Sequence, residues 1–315
     1  MVYCRPPVKL DSDHGWLPHS LDLSAGRLVV TLVRPAGPVS GFVSDLDLRR
    51  PSRAVRVALE DIDLPAPDAA MAPSFGLIYH LPRSGSTRAA RMLAATGQVR
   101  CLIEPEWLNA LLSHPQWRDH VSPEWLTRLI RVCTTAFTDR RQVIIKLSSW
   151  VIMRHALIAR SLPDMPSLFL HRAPGDVLIQ LLDRPTGWMA PQARAFILGA
   201  DSPTTTMPTD EYCARAIGRF CDIAAAAAPR VRPVAYEAGP DALIDACRRH
   251  FALALTDADV AAMHVAATRD SEDWSGASAF VPDTDRLRDG DTPRLRDLRA
   301  AFADEPYERL LHATR

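Results

Sequence analysis

The chain has 315 residues, 37 Lys plus Arg against 37 Asp plus Glu, and a sequence pI near 7.1, so no global charge draws it to nucleic acid or an anionic membrane surface. It is 47% hydrophobic, enough to bury a sizeable core, which excludes disorder as the main state. No run approaches the roughly 20 apolar residues that a membrane helix needs. The six cysteines form no CxxC pair and no compact Cys/His cluster, so buried free thiols in a reducing compartment are expected. Residues 1–10 carry no signal-peptide pattern. The expected location is the cytoplasm, and the arginine- and alanine-rich composition points to a bacterium. Of the 37 basic residues only Lys9 and Lys146 are lysine. Nucleotide bias in the host genome is the simplest cause, yet it leaves each surviving lysine worth a question.

In chain order, Leu28–Val33 and Gly41–Leu48 are short β-type runs and Val55–Leu64 alternates loosely. Proline-rich turns separate them, so a small antiparallel unit is expected. Residues 65–73 read as a linker because prolines hold themselves and their predecessors extended. The division is therefore 1–72, a β-rich extension with its linker, and 73–315, an α/β domain. Beyond the linker, strands are expected at Phe75–His80, Val99–Ile103, Val143–Leu147, Ser167–His171 and Val231–Tyr236, with helical stretches between them. Ser122-Pro123-Glu124 and Thr256-Asp257-Ala258-Asp259 are helix starts, the first with a serine cap and a proline in the first turn, the second in capping-box form. Strand and helix in alternation predict an α/β fold: a parallel sheet with helices on both faces, plus the N-terminal β-rich extension. Ligands of such sheets sit beyond the carboxyl ends of the strands.

The most informative stretch is Phe75–Thr87, where a strand enters Leu81-Pro82-Arg83-Ser84-Gly85-Ser86-Thr87 and a helix begins at once. Free amides at a helix start and the helix dipole make an anion site. Ser84, Ser86 and Thr87 add hydroxyls, Gly85 lets the backbone approach, and Arg83 adds a forked cation. The bland alternative is a capped helix start without a ligand. This is not a Walker A loop, since GxxxxGK[ST] is missing.

The Pro-Arg-Ser-Gly-Ser-Thr hexapeptide resembles the 5′-phosphosulfate-binding loop of the sulfotransferase family, whose members transfer a sulfuryl group from 3′-phosphoadenosine 5′-phosphosulfate (PAPS) and release PAP. Glu104-Pro105, Leu170–Leu178 with its Arg172, and Val234-Ala235-Tyr236-Glu237 extend the resemblance, which leaves the first 70 or so residues uncovered. It implies a P-loop-like sheet, PAPS as cosubstrate, no metal, and a part in secondary metabolism. It assigns the 5′-phosphosulfate to Arg83, Ser84, Gly85, Ser86 and Thr87, with Arg88 as a further contact or a solvated helix residue. It assigns the 3′-phosphate to Arg172 and to Gln180, which stands where relatives carry serine. Lys146 falls on the strand where many relatives keep a lysine near the transferring sulfate; the alternative is a surface lysine snorkelling from a strand end. Two residues on, where one branch has a catalytic histidine, this chain has Ser148.

A base is still needed for a hydroxyl acceptor, and Glu104 is the best placed candidate. Its competing role is to cap or anchor the helix that follows. Glu106, His80 and His171 are weaker candidates. Ser271, Phe280, Asp283 and Arg286 resemble a late loop that closes over the nucleotide in relatives. The acceptor, a small molecule or a carrier-bound intermediate, is expected against Trp107, Leu108, Trp150 and Asp183–Trp188, with Trp188 and Met189 as an apolar wall or as core. Neither nucleic acid nor membrane is expected as a partner, and a homodimer or heterodimer is left open. The alternative function is a degenerate, noncatalytic partner of an active sulfotransferase, motivated by Ser148 and Gln180. A kinase with an unusual phosphate loop is disfavoured because no strand ends in a magnesium-holding aspartate.

Overall fold

The structure is a computed structural model that describes residues 8–9, 15–35, 42–43, 51–64, 75–135, 142–199, 206–228, 230–271, 273, 278–281 and 284–313. Strands among them are β1 (Val8–Lys9), β2 (Leu17–Ser24), β3 (Arg27–Pro35), β4 (Phe42–Val43), β5 (Pro51–Ala58), β6 (Ile62–Asp63), β7 (Phe75–His80), β8 (Val99–Ile103), β9 (Gln142–Lys146), β10 (Ser167–His171) and β11 (Val231–Ala235). Helices are α1 (Ser86–Ala94), α2 (Glu106–Ser113), α3 (Pro123–Thr135), α4 (His155–Ser161), α5 (Pro174–Asp183), α6 (Pro191–Leu198), α7 (Thr209–Ala227), α8 (Gly239–His250), α9 (Asp257–Ala267), α10 (Thr284–Gly290), α11 (Pro293–Phe302) and α12 (Asp304–His312). The chain is α/β, with parallel strands flanked by helices and an antiparallel three-stranded sheet near the N-terminus. No helix among the described residues is long and apolar enough to cross a membrane.

Two compact units interleave along the sequence. The first comprises Met1–Gly76, Leu93–Leu147 and Ala156–Met165, the second Leu77–Met92, Ser148–His155 and Pro166–Arg315. In the first unit β2, β3 and β5 form the antiparallel sheet. Ala25 and Gly26 join β2 to β3 with φ of 51° and 76°, the two left-handed residues that a tight hairpin requires. Leu28, Val30 and Leu32 are fully buried, the period-2 face that packs on the core. The Gly41–Leu48 run is only partly described, and its Phe42–Val43 pairs in parallel with β8 at Cys101 and Leu102. Phe42 and Val43 therefore do not join the antiparallel sheet, because the partner that claims them lies almost 60 residues downstream. The parallel pairing of β8 with β9 sets Ile103 opposite Lys146. The Ser122 hydroxyl accepts the Trp125 amide at 3.2 Å, so α3 starts at the expected cap. The linker, residues 65–73, lies outside the described residues.

In the second unit β7, β10 and β11 run parallel, with His80 opposite Leu170 and His171 opposite Ala235. The loop after β7 and Arg172 after β10 consequently leave the same end of neighbouring strands. Helix α7 buries Tyr212, Cys213, Ile217, Phe220 and Cys221 and packs against α5, α11 and α12. Its Gly218 allows a close crossing, since a Cβ there would meet the Phe302 carbonyl oxygen at 2.0 Å. Thr256 and Asp259 close the expected capping box at α9.

Candidate functional site

The strand β7 is buried along its whole length and delivers the chain into the loop at Leu81, whose amide donates to the Leu170 carbonyl at 2.8 Å. Arg83 and Gly85 both have left-handed backbones, φ 58° and 74°, and flank Ser84. Alternation of this kind turns successive amides toward one side and makes an anion-binding nest. The Ala89 amide donates to the Gly85 carbonyl at 2.9 Å, the first turn of α1. The amides of Ser86, Thr87 and Arg88 thus have no acceptor inside the helix.

Ser84 has a different part from the one its hydroxyl suggests. It is 2% exposed, and its Oγ donates to the Leu81 and Leu170 carbonyls at 2.7 and 3.1 Å, pinning the loop to the sheet. Arg83 donates through Nη2 to the Arg184 carbonyl at 2.8 Å, which ties the loop to the C-terminal cap of α5. The Arg88 guanidinium lies 4.7 Å from the centroid of the Phe280 ring, and its Nε is buried with no hydrogen-bond partner among the described residues. Arg91 holds the Ser271 and Asp273 carbonyls at 2.9 and 3.2 Å, so two arginines of α1 meet the late loop. Of the four residues expected there, Asp283 and the Arg286 side chain lie outside the described residues.

Tyr236 joins the loop to Arg172. A Cβ on Gly85 would sit 2.7 Å from the Tyr236 ring, and the Arg172 guanidinium stacks over the same ring at 4.5 Å from its centroid. Arg172 is 5% exposed and also pairs with Asp176 at 3.1 Å. Glu237 accepts the Ala173 amide at 2.9 Å, fixing the turn that carries Arg172. Gln180 is buried on α5, and its Nε2 has no hydrogen-bond partner among the described residues. Beside the loop opens a small pocket lined by Ser84, Gly85, Arg88, Met92, Tyr236 and Leu243, among others. The loop, Arg172 and Gln180 thus belong to one unit. The sequence offers Tyr236 as part of the Val234–Glu237 motif, whereas its place between loop and arginine is revealed by the three-dimensional neighbourhood of Gly85.

The first unit holds the other predicted pair. Lys146 ends β9 at 3% exposure and donates through Nζ to Glu104 Oε1. It is therefore no snorkelling surface lysine. The Glu104 amide donates to the Lys146 carbonyl at 2.7 Å, so the two residues are joined twice. Pro105 is the N-cap of α2 and no side chain caps that helix, so the Glu104 carboxylate is spent on Lys146. Glu104 has φ 45°, a left-handed conformation that costs a non-glycine residue on the order of 1–3 kcal/mol. The peptide bond after Leu147 carries the chain from this unit into the second, at Ser148, which is buried.

Most of the remaining candidates are buried in the interior. His80 is buried, and since its Nδ1 lies 2.8 Å from the Leu81 carbonyl, that nitrogen carries the proton. Trp107 and Leu108 are 2% exposed in the core. Trp188 is buried against Tyr212 and Phe220 and donates to Ser149 Oγ at 3.1 Å, and Met189 is buried as well. Both are core, the second of the two readings that the sequence left open. Trp150 packs edge-on against Phe196.

His171 is 3% exposed, with Nδ1 3.0 Å from the Tyr307 hydroxyl. Burial pushes its pKa down to about 4. The unfolded chain binds the proton near the ordinary value of ~6.5, so the folded state's advantage is complete above that pH and is lost as pH falls toward 4. We expect stability to urea to fall by about 2–3 kcal/mol between pH 7.5 and 4.5 through this residue. His171→Gln should remove that share of the slope, and an unchanged slope in the variant would assign it elsewhere.

No family model matches the sequence, and no curated protein matches it.

Proposed function

We propose that the chain is a PAPS-dependent sulfotransferase, cytoplasmic and bacterial, that moves a sulfuryl group to a hydroxyl or amine of a small-molecule or carrier-bound acceptor. The observation that carries the reading is the loop at residues 81–88, whose nest and open helix amides are joined through Tyr236 to the buried Arg172. An anion at the loop and a second phosphate at Arg172 are what a 5′-phosphosulfate with a 3′-phosphate presents. The residues fit such a group, because Arg88 Nε and Gln180 Nε2 are buried donors awaiting acceptors, a state that costs about 1–3 kcal/mol each until relieved.

PAPS supplies the activated sulfur. In-line displacement forms a bond from the acceptor atom to sulfur and breaks the bond to the 5′-phosphate oxygen, which leaves on PAP. The loop amides and Arg83 are assigned to the charge that develops on that phosphate. Lys146 is assigned to the sulfuryl oxygens and Glu104 to the acceptor proton. Their ion pair supports a joint role, since a buried ammonium requires a countercharge until another anion arrives.

A noncatalytic partner of an active sulfotransferase is the second reading, favoured by Ser148, where one branch of that family carries its base. Incubating the purified protein with PAPS and a panel of alcohols and amines separates the two. Acceptor-dependent release of PAP that disappears in Arg83→Ala supports the enzyme. PAP binding with no turnover supports the partner.

A further inference from the structure

Glu104 has little local reason for its shape. It precedes Pro105, and a residue before proline is pushed toward extended conformations, yet its φ is 45°. The amides of Leu108 and Asn109 both donate to the Pro105 carbonyl, at 3.0 and 3.1 Å, so the helical bonding of α2 begins one residue after Glu104. The carbonyl of Glu104 instead receives the side chain of Asn109, whose Nδ2 donates to it at 3.2 Å. With the amide of Glu104 on the Lys146 carbonyl, both backbone polar groups of the strained residue are held, one by β9 and one by Asn109.

We propose that Asn109 is a positioning residue for the Glu104–Lys146 pair, its amide holding Glu104 in the left-handed conformation that aims the carboxylate at the lysine. Without that donor the backbone at Glu104 relaxes to the extended conformation that Pro105 favours, and the carboxylate swings off Nζ. A strained backbone persists only where its surroundings over-determine it, and the Asn109 side chain contributes to that here. Asparagine fits the task because its short amide returns from the first turn of a helix to the residue just before it, as local polar side chains commonly do. Only the kinetic part of this inference rests on the sulfotransferase reading.

The near-absence of lysine makes the test clean. In the full-length protein, trace acetylation with isotopically labelled acetic anhydride reports on the Lys146 amine, and mass spectrometry of its peptide cannot confuse it with the single other lysine, Lys9. We expect Lys146 to be labelled in the native protein at under ~5% of its rate in the urea-unfolded chain, and Asn109→Ala and Asn109→Asp each to raise native labelling about tenfold through local opening. Thermal melts verify that both variants remain folded. The aspartate variant is isosteric and lacks the amide donor, so it separates the hydrogen bond from packing. If PAPS turnover is found, both variants should lower kcat by about tenfold with the KM for PAPS unchanged. Wild-type protection of Lys146 in both variants, or in Asn109→Asp alone, overturns the proposal. If no sulfuryl transfer is detected, the functional reading fails and the labelling still decides the role of Asn109.

Discussion

Gly85→Ala should lower the affinity for PAP by about two orders of magnitude, some 2.7 kcal/mol, while the protein remains folded. Two effects add at this one position. The backbone is left-handed at φ 74°, a conformation that costs an L-residue roughly 1–2 kcal/mol. The new methyl would also stand 2.7 Å from Cδ2 of Tyr236 and 2.8 Å from Cε2, so the ring must move. That ring carries the Arg172 guanidinium, and displacing it disturbs the second phosphate site together with the first. The coupling has a signature in a double-mutant cycle: Gly85→Ala with Tyr236→Ala should be less damaging than the sum of the two. Strict additivity of the two changes would show that Tyr236 does not connect the loop to Arg172. Calorimetric titration with PAP measures both outcomes.

Lys146→Arg should reduce sulfuryl transfer by about 100-fold and leave PAP affinity within a factor of about two. An arginine keeps the charge and can still meet a carboxylate, so a merely structural ion pair would tolerate it. Lys146, however, is only 3% exposed. A planar fork needs more room, and it presents its donors in one plane rather than as a compact charge. Full activity in the variant would return the ratio of two lysines to 35 arginines to genome bias alone. Retained PAP affinity is expected because PAP lacks the sulfuryl group to which Lys146 is assigned. Steady-state kinetics with calorimetry separates the two effects.

Much of this arrangement was legible in the sequence where the physics is local. The five strands from Phe75 onward are buried apolar runs bounded by Pro, Gly or charge, and each lies within a residue of its expected span. The helix starts at Ser122 and Thr256 are fixed by cap side chains that accept a backbone amide three residues on, and both are in place. The misreading came where pairing is non-local: nothing in Gly41–Leu48 announces that Phe42 lies opposite Cys101. The same holds at the site. The loop residues and Arg172 are visible as short motifs, whereas the hydroxyl of Ser84 goes to Leu170, across a neighbouring strand, and becomes a pin. The two roles left open for Glu104 are separated by its backbone, since φ 45° and an uncapped α2 send the carboxylate to Lys146. Asn109 and Tyr307 carry no sequence signal of their own, and Tyr236 is visible only within the Val234–Glu237 motif, because each matters through a partner that folding brings to it.

On the sulfotransferase reading, the β7 loop and Arg172 together hold the two phosphates of one nucleotide. Isothermal calorimetry with PAP and the full-length protein measures this. The predicted result is a single site with a Kd of about 1–10 µM or tighter, weakened at least about 100-fold by Arg172→Ala. Adenosine 5′-phosphate, which lacks the 3′-phosphate, should bind more weakly to the wild-type protein and be insensitive to that substitution. No measurable binding of PAP, or equal affinity in the wild-type and Arg172→Ala proteins, would rule out a two-phosphate site on the loop and Arg172.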